Sequence, residues 1–156
     1  IMVVTANGQS IRFAEKDVRA MGRVAAGVRG IRLKGKDQVG GMDVVVPDGD
    51  KKGNLFELLV VMSHGYGKRT KLSQYKLQNR GGSGIRTAHI TEKTGKIVMA
   101  MVINSKEDRD VLSVSEKGQV IRLPVGSISV VGRDTQGVRI MRFKEEKDSV
   151  ASVALV

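Results

Sequence analysis

A glycine-rich segment with flanking arginines lies in the middle of the chain, where Gln78–Gly84 (QNRGGSG) is followed by Ile85 and Arg86. Three glycines within four positions let a partner approach the backbone closely and leave amide groups free to donate hydrogen bonds. Arginine can donate two hydrogen bonds at once to phosphate oxygens. The segment therefore predicts a phosphate-binding loop. The alternative is a glycine-rich turn between strands whose arginines are only solvated.

The segment has two sister loops in the chain. We call Met21–Gly27 loop one, Gln78–Gly84 loop two and Val131–Gly137 loop three. The sister loops keep the arginine and the final glycine of loop two but lack its middle glycines. Recurrence favours phosphate binding, whereas the loss of the middle glycines favours a structural role for loops one and three.

The loops recur because the chain contains three copies of one sequence unit. Adding 57 to the numbers of five residues gives the same residue types in the second unit, and adding a further 53 gives them again in the third. The five columns are Gly8, Gly65 and Gly118; Arg12, Arg69 and Arg122; Arg23, Arg80 and Arg133; Gly27, Gly84 and Gly137; and Arg29, Arg86 and Arg139. Apolar positions follow the same register. A fixed period of about 50 residues indicates a repeat architecture.

Short runs of Val, Ile, Leu and Met between glycine-containing turns predict four strands in each unit. The predicted strands are Ile1–Thr5, Gln9–Phe13, Val28–Leu33 and Met42–Val46; Leu58–Met62, Gly67–Leu72, Ile85–Ile90 and Ile97–Ile103; and Val111–Ser115, Gln119–Leu123, Val138–Phe143 and Val150–Val156. Asn7 and Gly8 predict a hairpin turn, because this pair tolerates positive φ.

Repeated four-stranded units predict an all-β fold, a propeller-like array of small sheets called blades. We expect three blades, at 1–52, 53–104 and 105–156, with polar joints at Pro47–Asn54 and Ser105–Asp110. Since a closed propeller needs about four blades or more, we expect the chain to be part of a longer protein.

The composition favours a polyanionic partner, because 27 Lys and Arg against 16 Asp and Glu give a net charge of +11. Nucleic acid is the first candidate and an acidic membrane surface the second. With three Phe, two Tyr and no Trp, the chain lacks a row of aromatic platforms for single strands, which favours a duplex. No long apolar run or export signal is present, so we expect a cytoplasmic protein that does not enter a membrane.

We expect the recurring basic residues and loop two to contact DNA. The predicted set is Arg12, Arg23, Arg29, Lys68, Arg69, Lys71, Gln78, Arg80, Gly81, Gly82, Gly84, Arg86, Arg122, Arg133 and Arg139. Equal charges on successive blades would trace a curved path and bend the duplex without reading bases. The alternative for these residues is a solvated strand face.

Three motifs together resemble one known family. Loop two is similar to the glutamine-arginine-arginine-glycine-glycine box of the DNA gyrase A protein, with Asn79 in place of the second arginine. Gly65–Thr70 (GYGKRT) and Val131–Ile140 (VGRDTQGVRI) also resemble that family's C-terminal, DNA-wrapping domain, and the corresponding topoisomerase IV domain is a related possibility. The resemblance implies a β-pinwheel that bends duplex DNA. It also implies a non-catalytic part of an ATP-dependent type II topoisomerase, partnered by the rest of gyrase A and, through it, gyrase B.

Catalytic and cofactor sites find little support. His64 and His89 are not spaced as a metal-ligand pair. The Asp48–Asn54 stretch lacks the closing Glu of a calcium loop. Tyr66 and Tyr75 lack the acid cluster of a metal-assisted nuclease. We therefore predict no catalytic residue, no metal and no cofactor.

One non-enzymatic alternative stays open at this point. A propeller-type scaffold could use its basic rim to bind an acidic protein segment. Such a face should present more exposed Tyr, Trp or Phe than this composition provides. Arginines beside glycines fit phosphate better.

Overall fold

The computed structural model describes residues 1–45 and 55–156, and the predicted all-β fold is confirmed there. The strands are β1 (Met2–Thr5), β2 (Gln9–Arg12), β3 (Val39–Asp43), β4 (Phe56–Met62), β5 (Tyr66–Lys71), β6 (Ile85–Arg86), β7 (Ile97–Asn104), β8 (Asp110–Ser115), β9 (Val120–Pro124), β10 (Val138–Arg139) and β11 (Val150–Leu155). Each unit also has a short 3-10 helix after its second strand, at Glu15–Asp17, Leu72–Gln74 and Val125–Ser127. These helices keep the 57- and 53-residue spacing of the repeat.

The strands form three antiparallel sheets that exchange strands. Sheet one has the order β3-β1-β2-β6, sheet two β10-β5-β4-β7 and sheet three β11-β8-β9. Each four-stranded sheet thus takes three strands from one unit and its edge strand from the next. The expectation that four strands of one unit form their own sheet was wrong in this respect. The blade boundaries at 52 and 104 stay a prediction.

The exchanged strands are shorter than predicted. Only two residues each of Ile85–Ile90 and Val138–Phe143 pair as strand. Val28–Leu33, which was predicted as the equivalent strand of unit one, forms no strand among the described residues. The fourth strand of unit one begins early, at Val39, and Val46 lies outside the described residues, as does the joint Pro47–Asn54.

The predicted hairpin turn is confirmed and recurs. Gly8 has φ 86°, and its amide donates to the Thr5 carbonyl oxygen at 3.0 Å. Gly65 and Gly118 have φ 78° and 83° and close their turns with bonds of the same length. The glycine column is therefore required by backbone conformation, since other residues rarely adopt positive φ.

The hydrophobic core lies between the sheets, and β4 is covered on both faces. Leu58 and Val60 pack toward Met2 of sheet one. Leu59 and Val61 lie in the second cluster, which extends to sheet three. Burial on both sides explains why the strand reads as a continuous apolar run. Burying each of these side chains contributes about 1.5 to 3 kcal/mol.

Candidate nucleic-acid interface

Loops two and three each lie against the preceding unit. The Gly81 amide donates to the Gly30 carbonyl oxygen, and the Arg32 amide donates to the Gly82 carbonyl oxygen, both at 2.8 Å. At the next unit, the His89 amide donates to the Thr135 carbonyl oxygen at 3.0 Å. The loops are therefore anchored across units by their backbones.

The arginine of each anchored loop bonds to the preceding unit in the same way. Nη1 of Arg80 donates to the Arg29 carbonyl oxygen, and Nη1 of Arg133 donates to the Arg86 carbonyl oxygen, both at 2.6 Å. Arg80 also donates from Nε to the Asp17 carbonyl oxygen at 2.8 Å. A guanidinium has five N–H donors, so these two bonds orient Arg80 and leave further donors for a ligand.

The column of Arg29, Arg86 and Arg139 is exposed at the surface. Arg86 pairs with Asp134 of loop three at 3.1 Å, and both side chains are about half exposed. Arg139 donates to the Tyr66 hydroxyl at 2.8 Å, with its guanidinium 4.8 Å from the ring centroid. These arginines alternate with the loop arginines, and we define the arginine row as Arg29, Arg80, Arg86, Arg133 and Arg139. Arg23 of loop one, the first member of the column that contains Arg80 and Arg133, is also exposed.

Some arginines that were predicted to contact DNA make hydrogen bonds between units instead. Nη1 of Arg12 lies 3.2 Å from the Tyr75 carbonyl oxygen, and Nε of Arg69 donates to the Ile128 carbonyl oxygen at 2.8 Å. Arg69 also pairs with the buried carboxylate of Glu57 at 2.9 Å. Arg12 and Arg69 therefore fasten the 3-10 helix of the following unit. Arg122 and Lys71 are exposed, and Arg122 pairs with Asp110 at 2.6 Å.

Lys68 is fully buried beneath loop three. Its ammonium donates to the carbonyl oxygens of Gly132, Arg133 and Thr135 and to the Thr135 hydroxyl, at 2.5 to 3.1 Å. Burial lowers the pKa of Lys68 to about 8. Lys68 was predicted to contact DNA, but here it supports the loop from inside and does not reach the surface.

Two residues at the ends of loop two have packing roles. Gly84 has φ 71°, and a Cβ atom there would overlap the Ser10 carbonyl oxygen, where β6 joins sheet one. The Gln78 amide donates to the Arg12 carbonyl oxygen at 2.8 Å, while Nε2 of its side chain is buried without a hydrogen-bond partner. Gly81, with φ 81°, and Gly82 are half-buried at the centre of the loop.

One basic residue beside the loops was missed from sequence. Arg32 is exposed, and the hydrogen bond from its backbone amide to the Gly82 carbonyl oxygen places it next to loop two. A signal was available, since adding 57 and then 53 gives His89 and Arg142, a second polar and mostly basic column. That column was overlooked because its residue types are not identical.

The described part of the chain holds no cluster of three or more His, Cys, Asp or Glu residues that could bind a metal. Nδ1 of His64 lies 2.8 Å from the Glu92 carbonyl oxygen, and the buried Tyr75 hydroxyl lies 2.6 Å from the Thr87 hydroxyl. The stretch considered as a calcium loop, Asp48–Asn54, lies outside the described residues. No helix among the described residues is long and apolar enough to cross a membrane.

Curated relatives match the chain along its whole length. The DNA gyrase A protein of Staphylococcus epidermidis is 45% identical over 156 residues, which is 100% of this chain and 17% of the relative. The DNA gyrase A protein of Staphylococcus aureus is 42% identical with the same coverage. The chain therefore spans about one sixth of the length of these relatives.

Solved structures share the fold. A structure of the DNA gyrase A C-terminal domain matches with a TM-score of 0.78 and 29% identity, covering 99% of this chain and 49% of that one. The C-terminal domain of DNA topoisomerase IV matches with a TM-score of 0.86 and 25% identity, covering 99% and 46%. A family model described as DNA gyrase C-terminal domain, beta-propeller, matches residues 1–45, 57–104 and 109–156. Since this model covers most of the chain, the chain belongs to the DNA gyrase C-terminal domain family.

Proposed function

We propose that the chain binds double-stranded DNA through its phosphates, without reading base sequence, along the arginine row. The observation that carries the proposal is the repeated bond from the arginine of one loop to the carbonyl of the preceding exposed arginine, at 2.6 Å in both places. This hydrogen bond places the guanidinium of each loop arginine against the backbone of an exposed arginine of the preceding unit. An arginine guanidinium can donate two parallel hydrogen bonds to phosphate oxygens. Contacts to phosphates carry no information about base sequence.

A duplex fits the surface better than a single strand. Single-strand binders stack unpaired bases on exposed aromatic rings. All five aromatic residues of this chain are buried or half-buried, including Tyr66 and Tyr75. Net charge of +11 supplies the long-range attraction to the phosphate backbone. Membership of the gyrase family also favours DNA over the acidic protein segment.

The same arrangement supports bending of the DNA. Loops two and three occupy equivalent places on successive units, so a duplex that contacts both must follow the array. Bending a site of 20 to 30 base pairs costs about 1 to 6 kcal/mol, which several phosphate contacts can offset. We propose that the chain is a non-catalytic, DNA-bending and wrapping module.

The relatives suggest the larger context. Their names identify them as gyrase A proteins, and DNA gyrase is a type II topoisomerase. We propose that this chain acts together with the rest of a gyrase A protein and, through it, with gyrase B. In that setting the module would support ATP-dependent supercoiling, while strand cleavage takes place elsewhere in the protein.

The binding proposal is tested by titrating duplexes of two unrelated sequences over a range of salt. Arg86→Ala should weaken binding to both sequences alike and reduce the salt slope by about one unit. Lys106→Ala is the matched control, because it removes one exposed charge from the turn between β7 and β8. If the two variants lost the same affinity for DNA, binding along the arginine row would be contradicted. A loss of affinity that differs between the two duplexes would indicate that the chain reads bases.

The bending proposal is tested by energy transfer between dyes at the ends of a duplex of about 40 base pairs, well below the persistence length of about 150 base pairs. Ligation of nicked circles in the presence of the chain reports the change in linking number. We expect a shorter dye distance, a modest linking change and no strand breakage. Binding that changes neither quantity would rule out wrapping by this chain, and breakage would overturn its non-catalytic role.

A further inference from the structure

Three residues after each arginine of the column that contains Arg86, the repeat has a further exposed position. The residues at these positions, here called the second column, are Arg32, His89 and Arg142. We propose that His89 is a pH-dependent DNA contact, whose protonated ring binds a phosphate of the duplex beside loop three. This inference rests on the DNA binding proposed above and adds a contact that the arginine row does not include.

The backbone places Arg32 and His89 in the same way. The Arg32 amide donates to the Gly82 carbonyl oxygen at 2.8 Å, and the His89 amide donates to the Thr135 carbonyl oxygen at 3.0 Å. Gly82 and Thr135 occupy equivalent positions of loops two and three, so both ends of the bond follow the repeat. The chain therefore presents an arginine beside loop two and a histidine beside loop three from equivalent backbone positions.

The residues just before His89 are fastened to the hairpin turn of unit one. The Thr87 and Ala88 amides both donate to the Gly8 carbonyl oxygen, at 2.8 and 3.3 Å. Ala88 is 2% exposed, whereas His89 is exposed. Backbone bonds to unit one and to loop three thus hold this short segment from two sides. The position of His89 on the surface is therefore fixed by the contact between units.

Loop three touches the second unit at two points that lie three residues apart. Its arginine, Arg133, donates to the Arg86 carbonyl oxygen, and its backbone accepts from the His89 amide at Thr135. Loop two makes both contacts with unit one in the same way. A duplex that contacts the arginine row at loop three therefore passes the exposed ring of His89, which flanks the same loop.

The charges around His89 are balanced within the chain. The titratable groups of loop three, of the lysine beneath it, of the hairpin turn of unit one and of the three residues on either side of His89 are Arg133, Asp134, Lys68, Asp37, Arg86 and Glu92. Asp134 pairs with Arg86 at 3.1 Å, and Asp37 accepts from the Asn7 amide at 2.9 Å. Three cations and three acids leave the arrival of DNA as the change that most favours a charged imidazole.

Protonation of His89 and binding of DNA should therefore reinforce each other. A nearby phosphate favours the charged form of a histidine, and histidine ordinarily changes its charge between about pH 5 and 8. In this range the DNA-bound chain holds more protons than the free chain, so the affinity rises as the pH falls. Arg32 gives loop two the same kind of contact without this dependence, because a guanidinium keeps its charge.

The experiment measures the affinity of the chain for a duplex between about pH 6 and 7.4, within the range where histidine titrates. The upper limit lies below the pKa of Lys68, about 8, so that lysine stays mostly charged. We expect the affinity to rise by up to about fivefold as the pH falls. The salt slope should steepen by up to about one unit, as for one added phosphate contact.

Two variants of His89 fix its charge. His89→Gln should bind at every pH as the unaltered chain binds at the upper limit, because glutamine stays neutral. His89→Arg should bind at every pH as tightly as the unaltered chain at the lower limit. The fold should accept this change, since Arg32 occupies the equivalent position of unit one. An affinity of the unaltered chain that does not change with pH would overturn the proposal.

His64→Gln is the matched control, because the chain has two histidines. His64 lies in the hairpin turn between β4 and β5, where its Nδ1 is 2.8 Å from the Glu92 carbonyl oxygen. This variant should keep the pH dependence of the affinity. Its NMR spectrum reports the ring of His89, which should hold its proton to higher pH when the duplex is bound. A pH dependence that survives His89→Gln and disappears in His64→Gln would overturn the proposal.

Two comparisons separate this contact from other effects. Chemical denaturation of the same variants reports interactions within the chain. A pH-dependent stability with a pH-independent affinity would assign the charged ring to Asp134, which also overturns the proposal. If Arg86→Ala weakens binding while His89→Gln leaves the pH behaviour unchanged, the histidine contact alone fails. If Arg86→Ala and Lys106→Ala lose affinity equally while the pH dependence requires His89, the arginine row fails and the histidine contact remains.

Discussion

The buried ammonium of Lys68 donates to the carbonyl oxygen of Arg133, the residue whose own guanidinium reaches the preceding unit at the surface. One cation thus holds the backbone from inside while the other lies outside the loop. The residues equivalent to Lys68 in units one and three are Ile11 and Ile121. Loop three is therefore the loop supported by a charged side chain, while Ile11 packs beneath loop two, near Gly82.

Lys68→Ile should weaken DNA binding while the chain stays folded. Isoleucine already occupies this column in the other units, so the core should accept it. Loop three would lose the hydrogen bonds that hold Gly132, Arg133 and Thr135. We expect about tenfold lower affinity, or about 1.4 kcal/mol, and faster hydrogen exchange within 131–137. Lys106→Ile, an exposed charge removed from a turn, is the control. Unchanged affinity with faster exchange would show that loop three does not contact DNA.

Stability should depend on pH through the same lysine. Its pKa is about 8 in the folded chain against 10.5 for an ordinary lysine, chiefly because burial disfavours the charged form. Between these values the unfolded chain binds more protons, so the free energy of unfolding should rise with pH, by on the order of 3 kcal/mol across the window. Subtracting the curve of Lys68→Ile removes the other titrating groups. Chemical denaturation at each pH measures the free energy of unfolding of both proteins. If that free energy changed with pH in the same way in both, the assignment to Lys68 would be contradicted.

Much of the fold was predictable because the repeat marks its own structure. The columns of Gly8 and Gly84 recur where the backbone needs positive φ, so identical residues marked equivalent turns. Strand exchange was not predictable in this way. The same Val-Arg or Ile-Arg pair can add to its own sheet or to the preceding one, and only packing of the whole array decides.

The candidate site was predictable in its columns and less so in individual residues. Repetition shows that an arginine is needed at a position, but both structural and ligand-binding arginines repeat. Arg69 and Arg86 look alike in sequence, yet Arg69 bonds to a buried carboxylate and Arg86 is exposed. Burial of Lys68 could not be read from a sequence in which it lies beside Arg69 and Lys71 on one basic strand.

Arg69→Ala should lower stability much more than the equivalent change in unit three. Removing this guanidinium leaves Glu57, which is 4% exposed, without its ion-pair partner. Breaking a buried pair in this way costs about 3 to 5 kcal/mol. Arg122→Ala is the matched control, since its pair is exposed at the surface and contributes about 0 to 1 kcal/mol. Chemical denaturation measures both, and similar losses would contradict the structural role of Arg69.

Gly84→Ala should destabilise the chain, whereas Gly82→Ala should be tolerated. Gly84 combines φ 71° with the close approach of Ser10, so a Cβ atom forces the exchanged strand away from sheet one. Left-handed backbone alone costs an L-residue about 1 to 2 kcal/mol. A Cβ atom at Gly82 would make ordinary contacts, with its nearest neighbour at 3.5 Å. Thermal melts compare the two variants. Equal melting temperatures would show that β6 can move away from Ser10 of sheet one without loss of stability.

Asp134→Asn should strengthen DNA binding. Asp134 is the acid of loop three, and its carboxylate lies 3.1 Å from Nη1 of Arg86. The equivalent position in loop two is Gly81, so Arg29 faces no such acid from the neighbouring loop. Neutralising Asp134 removes the acid that competes with phosphate for Arg86 and also removes a charge that repels DNA.

The pair is exposed, so the gain should be modest and sensitive to salt. A charge interaction of about 1 kcal/mol in water corresponds to about fivefold higher affinity. The number of phosphate contacts stays the same, so the salt slope should change by less than the one unit expected for Arg86→Ala. Asp108→Asn is the control, because it removes an exposed acid from the turn between β7 and β8. If both variants gained affinity equally, net charge alone would explain the effect. A gain confined to Asp134→Asn would place bound DNA against Arg86 and loop three.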